Sequence, residues 1–337
     1  MVSIIIVGYN SEKYLKECLE SVFASSYNKF EVIFVDNNSQ DNSKEYIEKN
    51  FPRVNLINSK DNLGFAGGNN IGIKKAISDK SDYIFLLNPD TIIDQNCLGK
   101  LVEKADGETI LQPLILLHDG KQKTDLINSA GNILNFLGFS YCGSYKKKRS
   151  EIISDKDIPV ASGAAMFIPV KIIKKIGAFD ESFFMYHEDV DLSWRAMIAG
   201  HNIRLTRDSL IWHKYSFSRN KNKMFYTERN RILFIIKNFS LRHLLLTAPM
   251  QLIITLALLL YFASDGIILS WFRIQFAVIK SLPALLQEKR KIIKTIPPQD
   301  LRRFLSGSLN FSELNSRPFR VLDKASTIYW KLIISLL

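Results

Sequence analysis

The chain has 337 residues, of which 47% are hydrophobic and 23% charged, so it can bury a core and is not a disordered protein. Its net charge is +12, and the excess lies in residues 214–337, which hold 20 Lys and Arg against 6 Asp and Glu. This third of the chain is also rich in Leu, Ile and Phe, which favours an anionic membrane surface and disfavours nucleic acid as a partner. The three cysteines have no CxxC or zinc spacing, which argues against a disulfide framework and fits a reduced, cytoplasmic setting.

The first 90 residues alternate short apolar runs with amphipathic stretches. The runs are almost continuously apolar, as expected for parallel strands that are covered on both faces. We predict strands at residues 3–7, 31–35, 54–57 and 83–87. Helical spacing of apolar residues after Ser11 and after Asp41 predicts helices between the first strands. The sequence therefore predicts an α/β, Rossmann-like fold with ligands at the carboxyl ends of its strands.

Polar residues and glycines follow each predicted strand. They are Gly8, Tyr9 and Asn10 after the first, Asp36, Asn37 and Asn38 after the second, the glycine-rich residues 61–70 after the third, and Asn88-Pro89-Asp90 after the fourth. No GxGxxG motif follows the first strand directly and no P-loop motif is present, so a nucleotide would have to be held in another way. Glycines in residues 64–68 let the backbone approach a ligand closely, although they equally suit a flexible turn that starts a helix at Asn69.

Two further blocks follow in the next third of the chain. Residues 160–168 are small and apolar and include Ser162 and Gly163. Aromatic residues at 183–186 lead into the acidic run 188–191, and Trp212-His213 closes the apparent catalytic domain. An acidic run at a helix start is ordinarily a cap that compensates the helix dipole. The aromatic residues in front of it instead favour a ligand-binding cleft.

Residues 244–263 carry no charge, and about 20 apolar residues are enough to span a bilayer. Pro249 and Gln251 weaken the case for a simple span, and the next apolar stretch contains Arg273 and Lys280. A spanning helix, a re-entrant helix and an interfacial helical pair all remain open. We predict a catalytic domain at residues 1–240 and a helical, membrane-associating region at residues 241–337.

The order of these blocks resembles the family 2 glycosyltransferases of the GT-A fold, and within them the rhamnosyltransferase-like and galactofuranosyltransferase-like branch. The resemblance covers about residues 2–240. It implies an inverting transferase that moves a sugar such as rhamnose from a dTDP- or UDP-linked donor. The implied acceptor is a lipid-linked sugar or a polysaccharide at the cytoplasmic face of the cell membrane.

The resemblance also assigns roles to individual residues. A DxD motif holds a divalent cation in that family, and here it reads Asn88-Pro89-Asp90, so an amide replaces the first carboxylate. The resemblance therefore implies Mg²⁺ or Mn²⁺ held by Asp90 and His213, although Asn-Pro-Asp is also a common turn. It implies that Asp36 contacts the base or ribose, although that residue could instead cap a turn. The other donor contacts that it implies are Gly8, Tyr9, Asn10, Asn62, Gly68, Asn69, Asn88, Ser162 and Gly163.

The general base is the second member of the acidic pair in the family, which here is Asp189. Glu188 is the alternative, because the sequence does not orient the turn that carries the pair. Asp191 would cap or orient the helix that follows. Two other functions remain open: a polyprenyl-phosphate glycosyltransferase, whose acceptor needs no base, and a non-catalytic membrane protein that binds nucleotide sugars.

Overall fold

The computed structural model describes residues 1–215, 221–309 and 317–337. The chain divides into two compact units. The first comprises Met1–Asn132, Cys142–Ala196 and His201–Ser216, and the second comprises Ile133–Tyr141, Met197–Gly200 and Phe217–Leu337. The functional boundary that the sequence predicts at residue 240 stays a prediction.

Four parallel strands and the helices between them form one half of the sheet in the first unit. They are Val2–Gly8 (β1), Glu12–Phe23 (α1), Phe30–Asp36 (β2), Ser43–Asn50 (α2), Asn55–Asn58 (β3), Gly64–Ser78 (α3) and Tyr83–Leu87 (β4). Their order in the sheet is β3-β2-β1-β4. Ile4, Ile5 and Ile6 are all fully buried, because β1 is covered on both faces. The predicted α/β class is confirmed, and each predicted strand is present within one or two residues of its predicted ends.

Helix α3 begins at Gly64, so the alternative of a flexible turn that starts the helix at Asn69 is wrong. The glycines of this segment serve close packing and lie inside the helix. A Cβ atom on Gly68 would lie 2.6 Å from Val7 Cγ1, so only glycine lets α3 approach β1 this closely. The glycine content could not distinguish a ligand contact or a flexible turn from close packing, because the sequence does not show that β1 lies opposite these glycines.

The next elements of the chain extend the sheet of the first unit beyond β4, except for two strands of a separate small sheet. In chain order the elements are Thr91–Ile93 (β5), Cys97–Glu103 (α4), Thr109–His118 (β6), Lys123–Ser129 (β7), Asn132–Asn135 (β8), Ser140–Cys142 (β9), Lys156–Asp157 (β10), Ala165–Pro169 (β11), Val170–Ile176 (α5), Glu188–Ile198 (α6) and Asn202–His213 (β12). Strands β8 and β9 belong to the small sheet and lie mostly in the second unit. Strand β11 runs antiparallel to β4 and β6. Strand β12 runs parallel to β6 and antiparallel to β5, so its last residue, His213, is paired with Thr91.

The second unit is mainly helical, as predicted. Its elements are Lys221–Asn238 (α7), Leu241–Ser264 (α8), Ile268–Lys291 (α9), Leu305–Ser306 (β13) and Arg317–Ile333 (α10), and β13 pairs with β8. A buried Arg231 holds several of these segments together. Its guanidinium bonds both oxygens of Glu228 and donates to Leu137 O at 2.7 Å and to Gln251 Oε1 at 2.8 Å. Burial of this arginine is tolerable because its charge is paired and its donors are used.

Candidate active site

The carboxyl ends of β1 and β2 lie side by side, with Gly8 paired to Asp36. Asp36 is 6% exposed. Its Oδ2 accepts a hydrogen bond from the Ser39 N–H at 3.2 Å, while its Oδ1 is buried and has no partner among the residues that the structure describes. A buried carboxylate oxygen without a donor is costly unless a ligand supplies one. The position thus fits the imide or hydroxyl donor of a nucleoside.

Tyr9 and Asn10 follow β1 and differ in how their side chains are used. Tyr9 is half exposed and presents its ring at this edge of the sheet. Asn10 has a left-handed backbone, and its Oδ1 accepts a hydrogen bond from the Gln40 N–H at 2.7 Å. Asn10 therefore ties the end of β1 to the loop after β2.

The loop before α3 is held by two asparagine side chains. Asn37 Nδ2 donates to Gly64 O at 2.9 Å, and Asn37 Oδ1 accepts from the Leu63 N–H at 3.0 Å. Asn62 Oδ1 accepts from the Gly64 N–H at 2.9 Å. The sequence does not predict this role of Asn37, because an asparagine in a polar loop carries no signal of the tertiary hydrogen bonds it makes.

Gly68 and Asn69 lie in the packed body of α3. Asn69 is 2% exposed, and its Nδ2 donates to Phe65 O one turn earlier at 2.9 Å. Both residues thus shape the helix against β1. Their predicted contact with a nucleotide sugar stays a prediction.

Asp90 and His213, which are far apart in the sequence, meet beyond the end of β4. Asp90 Oδ1 lies 3.2 Å from His213 Nε2. The Nδ1 atom of His213 lies 3.0 Å from Asn128 Oδ1; in the tautomer whose proton is on Nδ1, the ring donates to that amide oxygen and the Nε2 lone pair faces Asp90. A lone pair that faces a carboxylate oxygen is repelled unless a cation lies between them. The pair therefore fits a divalent cation as two of its ligands.

The rest of the metal coordination would come from outside the protein. Asp90 Oδ1 is buried and accepts no hydrogen bond from the part of the chain that the structure describes, so it has a free acceptor position. Within residues 1–215, 221–309 and 317–337 no group of three or more His, Cys, Asp or Glu side chains forms a metal site. A cation at Asp90 and His213 would thus need ligand oxygens or water, as Mg²⁺ usually does.

The acidic pair lies at the start of α6. Asp189 is partly exposed, and its oxygens accept hydrogen bonds from the Gly163 N–H at 3.0 Å and the Val190 N–H at 2.8 Å. Glu188 is 5% exposed, and its Oε2 has no partner among the described residues. Burial raises the pKa of both carboxyls, and the Asp189 charge raises the pKa of Glu188 further. Carboxyls with raised pKa values are suited to accept protons near neutral pH.

The segment before the acidic pair has an unusual backbone that docks on the start of α3. Phe184, Tyr186 and His187 all have positive φ angles, between 63° and 69°. Phe184 O accepts a hydrogen bond from the Ala66 N–H at 3.0 Å. Gly64 faces the Phe184 carbonyl and ring, and its own φ is +68°, so a Cβ atom there would collide with them. This contact fixes the segment before the acidic pair against the start of α3.

Asp191 orients the helix, as the sequence predicted, through a buried ion pair. Its Oδ2 accepts from Arg195 Nε at 2.7 Å, and Arg195 also donates to Ile176 O and Ala178 O. The pair joins α6 to the turn after α5. Since Asp191 is fully buried and occupied in this way, it is placed to support the fold.

Residues 162–164 form a bridge between the turn that carries Asp90 and the acidic pair. The Asn88 N–H donates to Ala164 O at 3.0 Å, and the Gly163 N–H donates to Asp189. Gly163 has the Phe65 ring on one side and Asp189 on the other, so a Cβ atom would lie 3.0 Å from Phe65 Cζ. The structure thus brings Asn88, Asp90, Ser162, Gly163, Asp189 and His213 into one connected arrangement.

Two buried polar residues of this arrangement were missed by the sequence analysis. Gln112 is fully buried in β6, and its Oε1 accepts from the Ser162 N–H at 2.7 Å. Asn128, in β7, is 3% exposed and holds the His213 ring. The available signal was a polar side chain inside a run that otherwise reads as a buried strand, since such a side chain needs a partner.

Comparisons with known proteins identify relatives of the chain. The model of the family described as "Glycosyl transferase family 2" matches residues 3–177, more than half of the chain. The low-salt glycan biosynthesis hexosyltransferase Agl10 of Haloferax volcanii is 28% identical over 204 residues, which cover 60% of this chain and 63% of Agl10. The rhamnosyltransferase WbbL of Escherichia coli K12 is 27% identical over 240 residues, covering 68% of this chain and 89% of WbbL. The chain thus spans less than two thirds of Agl10 and most of WbbL.

A solved structure has the same fold. The crystal structure of GalNAc-T7 with UDP, GalNAc and Mn²⁺ aligns with a TM-score of 0.60 at 17% identity, over 74% of this chain and 51% of that one. At this identity the likeness concerns the fold alone.

We expect Gly64→Ala to destabilise the first unit more than Gly177→Ala does. Both glycines have a positive φ, so each substitution should cost roughly 1–2 kcal/mol of backbone strain. Only Gly64 also meets Phe184, whereas no heavy atom lies within 4 Å of the Cβ position of Gly177. Urea unfolding of the two variants measures the difference. Equal losses of unfolding free energy in the two variants would show that Phe184 can move away from residue 64 at little cost.

We also expect Glu188→Gln to stabilise the chain in a way that depends on pH. Because the pKa of Glu188 is raised above its ordinary value of 4.5, ionising it in the folded state costs stability as the pH rises. The variant should match the parent near about pH 4 and exceed it in unfolding free energy at about pH 8. Glu181→Gln, at an exposed glutamate nearby, is the control. A stability difference that is the same at both pH values would contradict the expectation.

Proposed function

This chain belongs to glycosyl transferase family 2 and has the GT-A fold, and from this we propose that it transfers a sugar from a nucleotide-diphosphate donor to an acceptor hydroxyl with inversion. The acceptor is a lipid-linked sugar or a polysaccharide, and rhamnose is the proposed sugar. The relatives support this proposal because they are named as a hexosyltransferase and a rhamnosyltransferase. The observation that carries it is the bridge of residues 162–164, which links the Asp90–His213 pair to Asp189 at one edge of the sheet.

The donor, dTDP- or UDP-linked, would bind across the ends of β1, β2 and β4. Asp36 supports this through its buried carboxylate oxygen, which lacks a donor among the described residues. Tyr9 offers an exposed ring for stacking against the base. Asn62 and Asn10 support the site indirectly, since their side chains hold the loops around it.

Asp90 and His213 would hold Mg²⁺ or Mn²⁺, and Asn128 would keep the His213 lone pair directed at the site. When bound, such a cation stabilises the negative charge of the departing diphosphate. The use of UDP and Mn²⁺ by the GalNAc-T7 structure supports this reading for the fold. Asn88 contributes its main chain, which fixes the turn against Ala164.

Asp189 is the proposed general base, which removes the proton of the acceptor hydroxyl as that oxygen attacks the sugar. Two main-chain N–H groups orient its carboxylate, and each oxygen keeps a further lone pair for the acceptor. Asp189 is partly exposed whereas Glu188 is buried, so Asp189 is the more accessible of the two. The raised pKa of Asp189 increases its basicity.

The second unit would hold the enzyme at the cytoplasmic face of the membrane, where a lipid-linked acceptor is found. Helices α8 and α9 are each 24 residues long. Each contains an 18-residue apolar stretch, with a mean hydropathy of 2.1 in α8 and 1.2 in α9, and 17% of the residues of each stretch are buried. Two such helices alone are weak support, since core helices of soluble proteins can be equally apolar. The basic excess of residues 214–337 adds charge complementarity to an anionic surface.

We expect Asp90→Ala to remove the metal-dependent part of nucleotide binding. The affinity for UDP or dTDP in the presence of Mn²⁺ should fall at least about tenfold, while unfolding free energy changes by less than about 0.5 kcal/mol. Calorimetric titration with and without Mn²⁺ measures the effect. Asp125→Ala, at an exposed aspartate on β7, should bind as the parent does. If Mn²⁺ raises the nucleotide affinity of Asp90→Ala as much as that of the parent, the proposed metal site is wrong.

We expect Asp189→Asn to keep the donor affinity and to lower the transfer rate by about 10²-fold or more, the usual effect of removing a general base. Glu188→Gln should lower the rate less. Single-turnover transfer to lipid-linked acceptors measures both. If Asp189→Asn transfers at the parental rate and Glu188→Gln does not, Glu188 is the base. If both variants keep the parental rate, neither carboxylate is the base.

A further inference from the structure

The second unit exposes rows of large apolar side chains on three of its helices. On each helix most of these residues recur at helical spacing and form one stripe along it, with Ile253 at the edge of the α8 stripe and Tyr261 exposed outside it. The stripes are Leu241, Leu245, Leu252, Leu256 and Leu260 on α8; Leu269, Phe272, Phe276, Ile279 and Leu286 on α9; and Val321, Ile328, Leu332 and Leu336 on α10 and the turn after it. Single exposed apolar residues are ordinary on protein surfaces, whereas continuous stripes of this length mark a binding surface.

Helix α9 has three distinct faces. Ile274, Val278 and Leu285 are buried and pack inside the second unit. The apolar stripe is exposed, and beside it Arg273 and Lys280, seven residues apart, form an exposed basic row. The exposed surface of α9 is thus itself amphipathic, with cations directly beside the apolar stripe.

This arrangement argues against α9 crossing a bilayer. Lys280 is the thirteenth of the 24 residues of α9, so a spanning helix would carry it near the bilayer midplane. A Lys or Arg there costs roughly 2.5–3.5 kcal/mol. In the plane of the surface, the same side chain lies at the level of the lipid headgroups.

The packing of α7 leads to the same conclusion. Lys289, near the end of α9, donates to Ile236 O at 2.6 Å and Phe239 O at 2.8 Å, at the end of α7. Helix α7 carries the Glu228–Arg231 ion pair and packs along α9. If α9 spanned a bilayer, this charged helix would be carried into the membrane with it.

Helix α10 provides an independent observation. It has 17 residues and is not among the helices of the described chain that are long and apolar enough to span. It nevertheless exposes an apolar stripe beside Lys324 and Lys331, which are seven residues apart, as the basic residues of α9 are. Spanning cannot explain this stripe, whereas contact with one leaflet can.

The end of α9 adds a basic pocket. Lys289, Arg290 and Lys294 line an open groove of about 450 Å³ together with Leu286 and Ile292. Among the described residues, none of those that line it is acidic. The pocket fits an anionic headgroup whose acyl chain follows the apolar stripe.

We propose that α8, α9 and α10 lie flat on one leaflet of a bilayer that contains anionic lipids, with their apolar stripes in the acyl region and the basic rows of α9 and α10 at the headgroups. The second unit is then a monotopic platform. Helix α8 lies in the same plane as α9, because the two helices pack together and are joined by only three residues. The proposal deepens the membrane association proposed above and rests on it.

The depth of the α9 stripe tests the proposal. Single cysteines at Leu269, Phe272, Phe276 and Ile279 are introduced into the full chain with Cys142→Ser, since Cys18 and Cys97 are buried. A fluorophore on each is quenched by brominated lipids in vesicles of phosphatidylcholine and phosphatidylglycerol. We expect one common depth, about 5–10 Å below the headgroups. A spanning α9 would instead give depths that differ by about 15 Å between residues 269 and 279, which would overturn the proposal.

Labelling from the aqueous side adds a second readout. Lys280→Cys should react with an impermeant maleimide added outside the vesicles, because an in-plane helix keeps it at the water interface. A Lys280→Cys that reacts only after detergent is added would overturn the proposal. Protein that ignores vesicles and is dimeric by light scattering would overturn it too, because the stripes would then cover a second copy.

A charge introduced into the stripe should release the protein. Phe276→Glu should lower vesicle partitioning at least about tenfold, whereas Ile153→Glu should have no effect, because Ile153 is 80% exposed and lies in the first unit. Equal partitioning of the two variants would contradict the proposal. Binding of UDP and dTDP is measured on the same variants, so a failure of the proposed transferase activity is seen separately from the membrane result.

Discussion

Two main-chain hydrogen bonds of the segment 162–164 hold the candidate active site together. One joins Ala164 O to the Asn88 N–H and the other joins the Gly163 N–H to Asp189. Gln112 holds the same segment by accepting a hydrogen bond from the Ser162 N–H. Residues from β4, from the segment before β11 and from α6 are thereby held at fixed separations. The bridge thus fixes the turn that carries Asp90 relative to the start of α6.

Buried carboxylate oxygens without hydrogen-bond donors mark three positions of the described chain: Asp36, Asp90 and Glu188. Folded proteins rarely leave buried acceptors unpaired, because each costs about 1–3 kcal/mol. All three lie at positions that the sequence already connects with the donor, the cation or the acidic pair. The unpaired acceptors thus indicate where the first unit needs ligand atoms, and they give the proposed function a physical basis besides the family membership.

Much of the fold could be predicted because buried parallel strands have a simple pattern. The strand predicted at residues 83–87 begins and ends where the observed strand β4 does. The polar residues after each of the parallel strands lie at one edge of the sheet, as predicted. The start of α3 could not be predicted, because Gly64 depends on the distant Phe184. Asn128 and Gln112 were missed for the same reason, since their partners are remote in sequence. The approach of His213 to Asp90 required the pairing of β12 with β5, which a single sequence does not show.

The bridge of residues 162–164 makes its contacts to Asn88 and Asp189 with main-chain atoms, so these contacts do not depend on which side chains the bridge carries. The side chain of Ser162 can therefore change without removing either of these two hydrogen bonds. Gly163 and Ala164 are constrained by their surroundings, because Phe65 and Asp189 lie next to the Cβ position of Gly163 and Ala164 is buried in the hydrophobic core. Preference for one sugar over another can diverge within such a scaffold while its reaction chemistry is inherited unchanged.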